Sequence, residues 1–310
     1  MKRVVAFLFP GQGAEQPGMG LDFLAASQEG AALVQQVGEQ TGTRAADLLL
    51  RGGSALSRTE VLQPLLTAVC LLSWQALCAA DVRPQIIAGH SLGEVPALCA
   101  AGCLSSAQTV ELAALRGRAM AQAAAQHPGS MLALSGINAR QLLAAIHRAR
   151  GVGPVDVAAE NAPQQWVLSG DRPALLQLLR DARSASWLPV SGPWHSRAMQ
   201  AAKPALIAQL RRLDPRPPRV SFVAGCSGRV ETDVTAALAA QIDRPVCFAR
   251  LMRTLVGLGV TDVVTVGPGK ILRGLVRANL GTQVRIHASD TPVDVARCAA
   301  ALFAADQGPA

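Results

Sequence analysis

The chain has 310 residues, half of them hydrophobic, which is enough for one large domain or a large domain carrying a smaller one and too apolar for a disordered chain. Its formal charge of +8 comes almost wholly from arginines scattered along the chain, and there is no tyrosine and only 3% aromatic content, so a basic nucleic-acid arm and an aromatic platform for single strands are both excluded. A basic surface of this kind suits phosphates or an acidic partner protein, or else reflects arginine-rich usage alone.

In chain order, Val4 to Phe9 reads as a buried strand and Phe9-Pro10-Gly11-Gln12-Gly13 as the turn leaving it. Pro10 and Gly11 end the apolar run after Met1-Lys2-Arg3 too early for a signal peptide, so a cytoplasmic protein is expected. Ligands collect at the carboxyl edge of strands in open α/β sheets, which makes Gln12 a site candidate; otherwise it is a solvated turn residue. A helix follows from about Ser57 to Ala80. Its Pro64–Ala80 stretch is broken by Ser73 and Gln75 and falls short of the ~20 residues of a membrane span, so it reads as a buried helix. Then come the strand Gln85–Ala88, the turn Gly89-His90-Ser91-Leu92-Gly93-Glu94, an Ala/Leu helix with Pro96 in its first turn, and a helix from about Ser105 to Ala125.

Between 130 and 190 the order becomes strand Met131–Leu134, helix Ala139–Arg150, strand Val155–Ala159, strand Trp166–Ser169, helix Pro173–Ala185 and strand Trp187–Val190. This is the ferredoxin-like β-α-β-β-α-β arrangement. Strands at Arg219–Ala224 and Asp262–Val266 return to the main sheet, Gly267-Pro268-Gly269-Lys270 opens a final helix, and the alanine-rich end from about Ala299 reads as a fraying helix. The expected architecture is α/β: a larger α/β-hydrolase-like domain with a parallel sheet, residues 1–128 and 191–310, with an inserted ferredoxin-like subdomain at 129–190.

Seven cysteines without a C-x-x-C pair argue against a disulfide framework or a zinc site. Cys99 and Cys103, four apart on a helix, put two thiols on one face or serve as small buried hydrophobes.

Gly89-His90-Ser91-Leu92-Gly93 matches the G-x-S-x-G nucleophile elbow in its required setting, strand before and helix after. The turn exposes the Ser91 hydroxyl, and the Leu92 amide at the helix start can donate to a developing oxyanion. A base is needed. Of five histidines, His90 lies inside the elbow and His195 lies in a loop re-entering the main domain; spacing alone leaves His195 as either base or structural residue. Arg116, on the helix after the elbow helix, is either a pocket guanidinium for a substrate carboxylate or a solvated charge.

The chain resembles the malonyl-CoA:acyl carrier protein transacylases, including the discrete acyltransferases that serve polyketide synthases. The resemblance covers nearly the whole chain and rests on Phe9-Pro10-Gly11-Gln12-Gly13, Gln63-Pro64, the elbow through Glu94, Arg116-Gly117, Asn161, His195 and Gly267-Pro268-Gly269-Lys270. It implies a ping-pong mechanism. His195 takes the proton of Ser91, which attacks the malonyl thioester; Gln12 and the Leu92 amide hold the oxyanion; coenzyme A leaves; the phosphopantetheine thiol of the carrier protein then attacks malonyl-Ser91. Arg116 clamps the malonyl carboxylate throughout, and His90, Asn161 and Gln63 belong to the substrate site. The family's amide or arginine side chain in the motif matched by Arg244-Pro245-Val246-Cys247-Phe248 is replaced by Cys247, whose carbonyl would remain to orient His195. Trp194, next to His195, should crowd an α-methyl branch and favour malonyl.

The resemblance further implies malonyl-CoA as donor without a bound cofactor, and a phosphopantetheinylated carrier protein as partner, free or within a polyketide synthase, for fatty acid or polyketide synthesis. No nucleic-acid or membrane partner is expected, and no heptad or exposed apolar stripe compels more than a monomer. The alternatives are an editing hydrolase of the same fold, an acyltransferase for another extender unit, and a non-catalytic docking subunit. Arg116 argues against the hydrolase, and Ser91, His195 and Arg116 together argue against the docking subunit.

Overall fold

The structure is a computed structural model that describes residues 3–304. Among the described residues, ten strands form two sheets: β1 (Val5–Phe9), β2 (Ile86–Gly89), β3 (Ser130–Ser135), β4 (Val155–Ala162), β5 (Gln165–Gly170), β6 (Ser184–Trp187), β7 (Ser221–Ala224), β8 (Arg229–Val230), β9 (Asp262–Val266) and β10 (Arg285–Ser289). The larger sheet runs β10-β9-β1-β2-β7-β8, parallel throughout except for the short hairpin strand β8. Strands β1, β2 and β9 are buried along their whole length, as the near-continuous apolar runs of a parallel sheet covered on both faces require.

Helix Thr59–Ala79 is long and apolar enough to cross a membrane, but here it is a core helix packed against helices Gln28–Thr41, Glu94–Ala100 and Ser106–Gln126. Helix Ser106–Gln126 starts at a reciprocal cap between Ser105 and Gln108. Gly117 lets it cross Thr59–Ala79 closely, since a Cβ there would stand 2.7 Å from the Thr59 carbonyl oxygen. That crossing brings Arg116 to Gln63, which in turn reaches Thr59.

The second sheet is antiparallel with order β4-β5-β3-β6, the strand order of a ferredoxin-like unit, and it covers its own core of Leu132, Leu142, Ile146, Leu168 and Leu175. Its second helix is shorter than the sequence suggests: Arg172–Leu176 replaces the expected Pro173–Ala185, and the strand expected at 187–190 lies at Ser184–Trp187. The reason is register. The free edge of β3 pairs Ser135 with Ser184 and Leu132 with Trp187, which sends the apolar Leu188 and Val190 onward into the cleft wall instead of into the sheet. Helix Lys270–Leu280 is also not the last element, since β10 and helix Pro292–Ala304 come after it, and β7 begins at Ser221 rather than Arg219. The helix expected to fray from Ala299 is intact to Ala304; the rest of that tail, residues 305–310, lies outside the described residues.

The two sheets are stitched together. Val246 N–H donates to the Ala158 carbonyl (2.9 Å) and Glu160 N–H to the Val246 carbonyl (2.9 Å), so a segment of the large lobe extends the edge of β4.

Candidate active site

Parallel pairing of β1 with β2 sets Phe9 opposite Gly89, so the turns leaving both strands begin side by side. Their backbones nearly touch. His90 N–H donates to the Phe9 carbonyl (2.9 Å), a Cβ on Gly93 would lie 2.1 Å from that same oxygen, and one on Gly11 would lie 2.6 Å from the His90 carbonyl oxygen. Glycine is therefore required on both sides, and Gln12 is held beside the elbow. Ser91 has φ +54°, the left-handed strain of a nucleophile elbow, and Leu92 follows in the first turn of a helix start.

Ser91 Oγ lies 2.5 Å from His195 Nε2. His195 is itself left-handed (φ +56°), and hydrogen bonds from Ser196 Oγ to the Pro193 carbonyl and from Ser169 Oγ to the Trp194 carbonyl fix its loop. Its Nδ1–H donates to the Gln241 carbonyl (2.9 Å), which leaves the Nε2 lone pair facing the serine hydroxyl. The orienting carbonyl is thus that of Gln241, not that of Cys247: the Cys247 carbonyl accepts from Leu251 N–H (2.9 Å) in the helix that follows, and burial pushes the Cys247 thiol pKa up. Burial first, and then the Arg116 charge, lower the His195 pKa to about 3 against the opposing pull of the Gln241 carbonyl, so the imidazole is neutral at neutral pH.

Arg116 is only 1% exposed, which rules out a solvated helix charge. Its Nη1 donates to Gln63 Oε1 and its Nη2 to Gln241 Oε1, both at 2.7 Å, while Nε has no hydrogen-bond partner. Gln63 Nε2 donates to Thr59 Oγ1 (2.8 Å), Thr59 Oγ1 donates to Gln12 Oε1 (3.0 Å), and Gln241 Nε2 donates to the Ser91 carbonyl (2.7 Å). One unbroken polar chain therefore runs from the turn after β1, through Arg116, to the elbow. Burial lowers the Arg116 pKa to about 10, opposed by the charge of Glu94, so the guanidinium stays ionised at neutral pH.

Gln12, His90, Ser91, Asn161, Trp194 and His195 line a cleft of about 240 Å³ between Met131, Ala158 and Val167 of the small lobe and helix Lys270–Leu280. Arg116 and Gln63 stand one layer behind that wall, so Gln63 holds Arg116 rather than facing the cleft. His90 Nε2 donates to Asn161 Oδ1 (2.8 Å), joining elbow to small lobe. Trp194 is buried, with its indole N–H unpartnered.

An acyl transferase domain family model matches residues 6–256. The chain is 33% identical over 283 residues to the malonyl CoA-acyl carrier protein transacylase of Bacillus subtilis, covering 88% of this chain and 89% of that protein. It superposes on the crystal structure of malonyl-CoA:acyl carrier protein transacylase from Xanthomonas oryzae with a TM-score of 0.89 at 32% identity, covering 97% and 98% of the two chains. A further structure, a type II polyketide synthase acyl-carrier protein in complex with its malonyl-transacylase, gives a TM-score of 0.88 at 26% identity over 94% and 98%. The chain belongs to the malonyl-CoA:acyl carrier protein transacylase family.

Two residues of this transacylase's polar chain escape a reading of its sequence. Thr59 is the first residue of a helix, and Gln241 the last of helix Val234–Gln241; neither sits in a motif or at a strand edge. Only the crossing at Gly117 and the packing of Gln241 over the elbow reveal them. All seven cysteines are free thiols; Cys99 and Cys103 are buried, but helix Glu94–Ala100 ends before Cys103, so the two do not share one helix face.

Proposed function

We propose that this protein transfers a malonyl group from malonyl-CoA to the phosphopantetheine thiol of an acyl carrier protein through a malonyl ester on Ser91. The observation that carries the reading is the line Ser91 Oγ, His195 imidazole, Gln241 carbonyl, joined through the Gln241 side chain to a buried guanidinium. His195, neutral and with Nε2 free to accept, removes the Ser91 proton as Oγ attacks the thioester carbon. The Leu92 amide and the main chain of Gln12 are the oxyanion donors, and the Gln12 side chain is anchored through its Oε1, which accepts from Thr59 Oγ1. The imidazolium then protonates the departing coenzyme A sulfur, and the carrier thiol repeats the sequence on the ester.

Arg116 selects a diacid-derived acyl group. A carboxylate reaching it takes the free Nε–H and replaces the oxygen of one neutral amide, Gln63 or Gln241. Trp194, packed over Gly192, where a Cβ would lie 2.6 Å from the indole ring, leaves little room for an α-branch and favours malonyl. The reading includes a cytoplasmic monomer without bound cofactor. Intact-protein mass spectrometry after brief exposure to malonyl-CoA tests it: a malonyl-sized adduct is expected on the wild type, absent in Ser91→Ala, and passed to added carrier protein. An adduct lost to water without loading the carrier would indicate the hydrolase, and no adduct with any donor would remove Ser91 from the chemistry.

A further inference from the structure

Glu94, the residue after the elbow's second glycine, has no place in the mechanism above. It is completely buried, at the first position of helix Glu94–Ala100. Its Oε1 accepts from Gly225 N–H (3.0 Å), and the fit is tight, since a Cβ on Gly225 would lie 2.5 Å from that oxygen. Its Oε2 has no formed hydrogen bond, an uncommon state for a buried carboxyl oxygen. The groups acting on it are few: the Gln241 amide and the Gly225 amide, the Arg116 guanidinium, and, from the turn after β7, the Cys226 thiol. Gln241 stands between the two buried ionisable groups. Its oxygen accepts from Arg116, its NH2 faces the Ser91 carbonyl and Glu94, and its main-chain carbonyl orients His195.

A buried carboxylate and a buried guanidinium that share one amide balance each other only while no third charge enters. A malonyl carboxylate at Arg116 is that third charge. It draws the guanidinium away from the Gln241 oxygen and leaves Glu94 as a second anion facing one cation in a dry site. We propose that Glu94 is a positioning residue that acts through Gln241, and that it takes up a proton when a carboxylate-bearing acyl group occupies Arg116. A neutral acyl group such as acetyl produces no such uptake. The proton adds to the Glu94 carboxylate from solvent, and acyl transfer itself needs none, since the serine proton leaves on the coenzyme A thiol. Burial, partly offset by Gln241, Gly225 and Arg116, already raises the Glu94 pKa to about 7, where a modest added negative charge changes its protonation.

The inference rests on Arg116 receiving the malonyl carboxylate, and the test separates the two. In the wild type, the ratio of kcat/KM for malonyl-CoA over acetyl-CoA is measured from pH 6 to 8. Uptake in the malonyl complex makes that ratio fall as pH rises, by up to tenfold per unit for one proton. Coenzyme A is common to both donors, and the malonyl carboxylate is ionised throughout. In Glu94→Gln the ratio becomes flat with pH. A flat ratio in the wild type overturns the inference, as does a slope that persists in Glu94→Gln. Should the variant not fold, the wild-type proton count decides: malonylation in weak buffer with an indicator dye takes up protons at pH 7, acetylation takes up none, and equal counts overturn the inference. A site that forms no malonyl adduct, or that prefers malonyl no more than acetyl at any pH, would instead overturn the assignment of Arg116.

Discussion

Removing Arg116 separates selectivity from architecture. In the structure its two Nη groups already donate to the neutral oxygens of Gln63 and Gln241, so binding a carboxylate exchanges neutral acceptors for a charged one. The gain is mainly the one new charge-assisted bond at the free Nε–H, ~1.5–3 kcal/mol, with little added by the exchange at one Nη, rather than the full strength of a new ion pair. Arg116→Ala should therefore lower the ratio of kcat/KM for malonyl-CoA over acetyl-CoA by ~10- to 150-fold, at ~1.4 kcal/mol per tenfold. The same change strands two buried amide oxygens at ~1–3 kcal/mol each, so denaturant unfolding should show a loss of ~2–6 kcal/mol. Steady-state rates with both donors, taken well below the unfolding midpoint, keep the two effects apart. If both donors lose the same factor, Arg116 supports the elbow and does not read the acyl group.

Three other changes test other parts of the construction. Gly93→Ala sets a Cβ 2.1 Å from the Phe9 carbonyl oxygen, against rigid backbone; thermal unfolding should fall sharply, and acyl-adduct formation should be lost with it. Trp194→Ala opens the wall beside His195, and the kcat/KM ratio of methylmalonyl-CoA to malonyl-CoA should rise by ~1–3 kcal/mol, or ~5- to 150-fold. Asp262 is buried and accepts from Arg285, His287 and Thr261; these bonds outweigh its burial and hold its carboxyl well below the usual carboxylate range. Because its folded pKa is depressed, its contribution is full above the unfolded value of ~3.9 and fades as pH falls below it. Asp262→Ala should accordingly cost ~3–5 kcal/mol in denaturant unfolding at pH 7, and the gap to wild type should narrow at pH 3.

The turn at Ser91 was legible because its geometry is local: two glycines against backbone, a left-handed serine, a strand before and a helix after. The same holds for β1, β2 and β9, whose near-continuous apolar runs suit a sheet covered on both faces. The second helix and last strand of the small sheet misled the reading because Leu188 and Val190 are apolar for the sake of the cleft, while the edge strand is built from Ser184, Ala185, Ser186 and Trp187. β10 was missed because its sequence, Arg-Ile-His-Ala-Ser, carries polar residues that pair with Asp262 and Ser73 where a buried strand would show an apolar run. Gln241 was invisible for a different reason. Its main chain and side chain act on partners 46, 125 and 150 residues distant, and no local pattern encodes that.

The bridge between Val246 and β4 has a consequence for anyone recombining such proteins. The small sheet does not hang from the large lobe on two linkers as a detachable cassette; its edge is completed by a strip of chain nearly ninety residues downstream, immediately ahead of helix Phe248–Gly257. A chimaera that imports residues 130–187 from a relative to alter acyl choice imports half of a seam. Exchanging the strip around Val246 together with that segment keeps donor and acceptor matched along the seam, and with them the wall of the cleft.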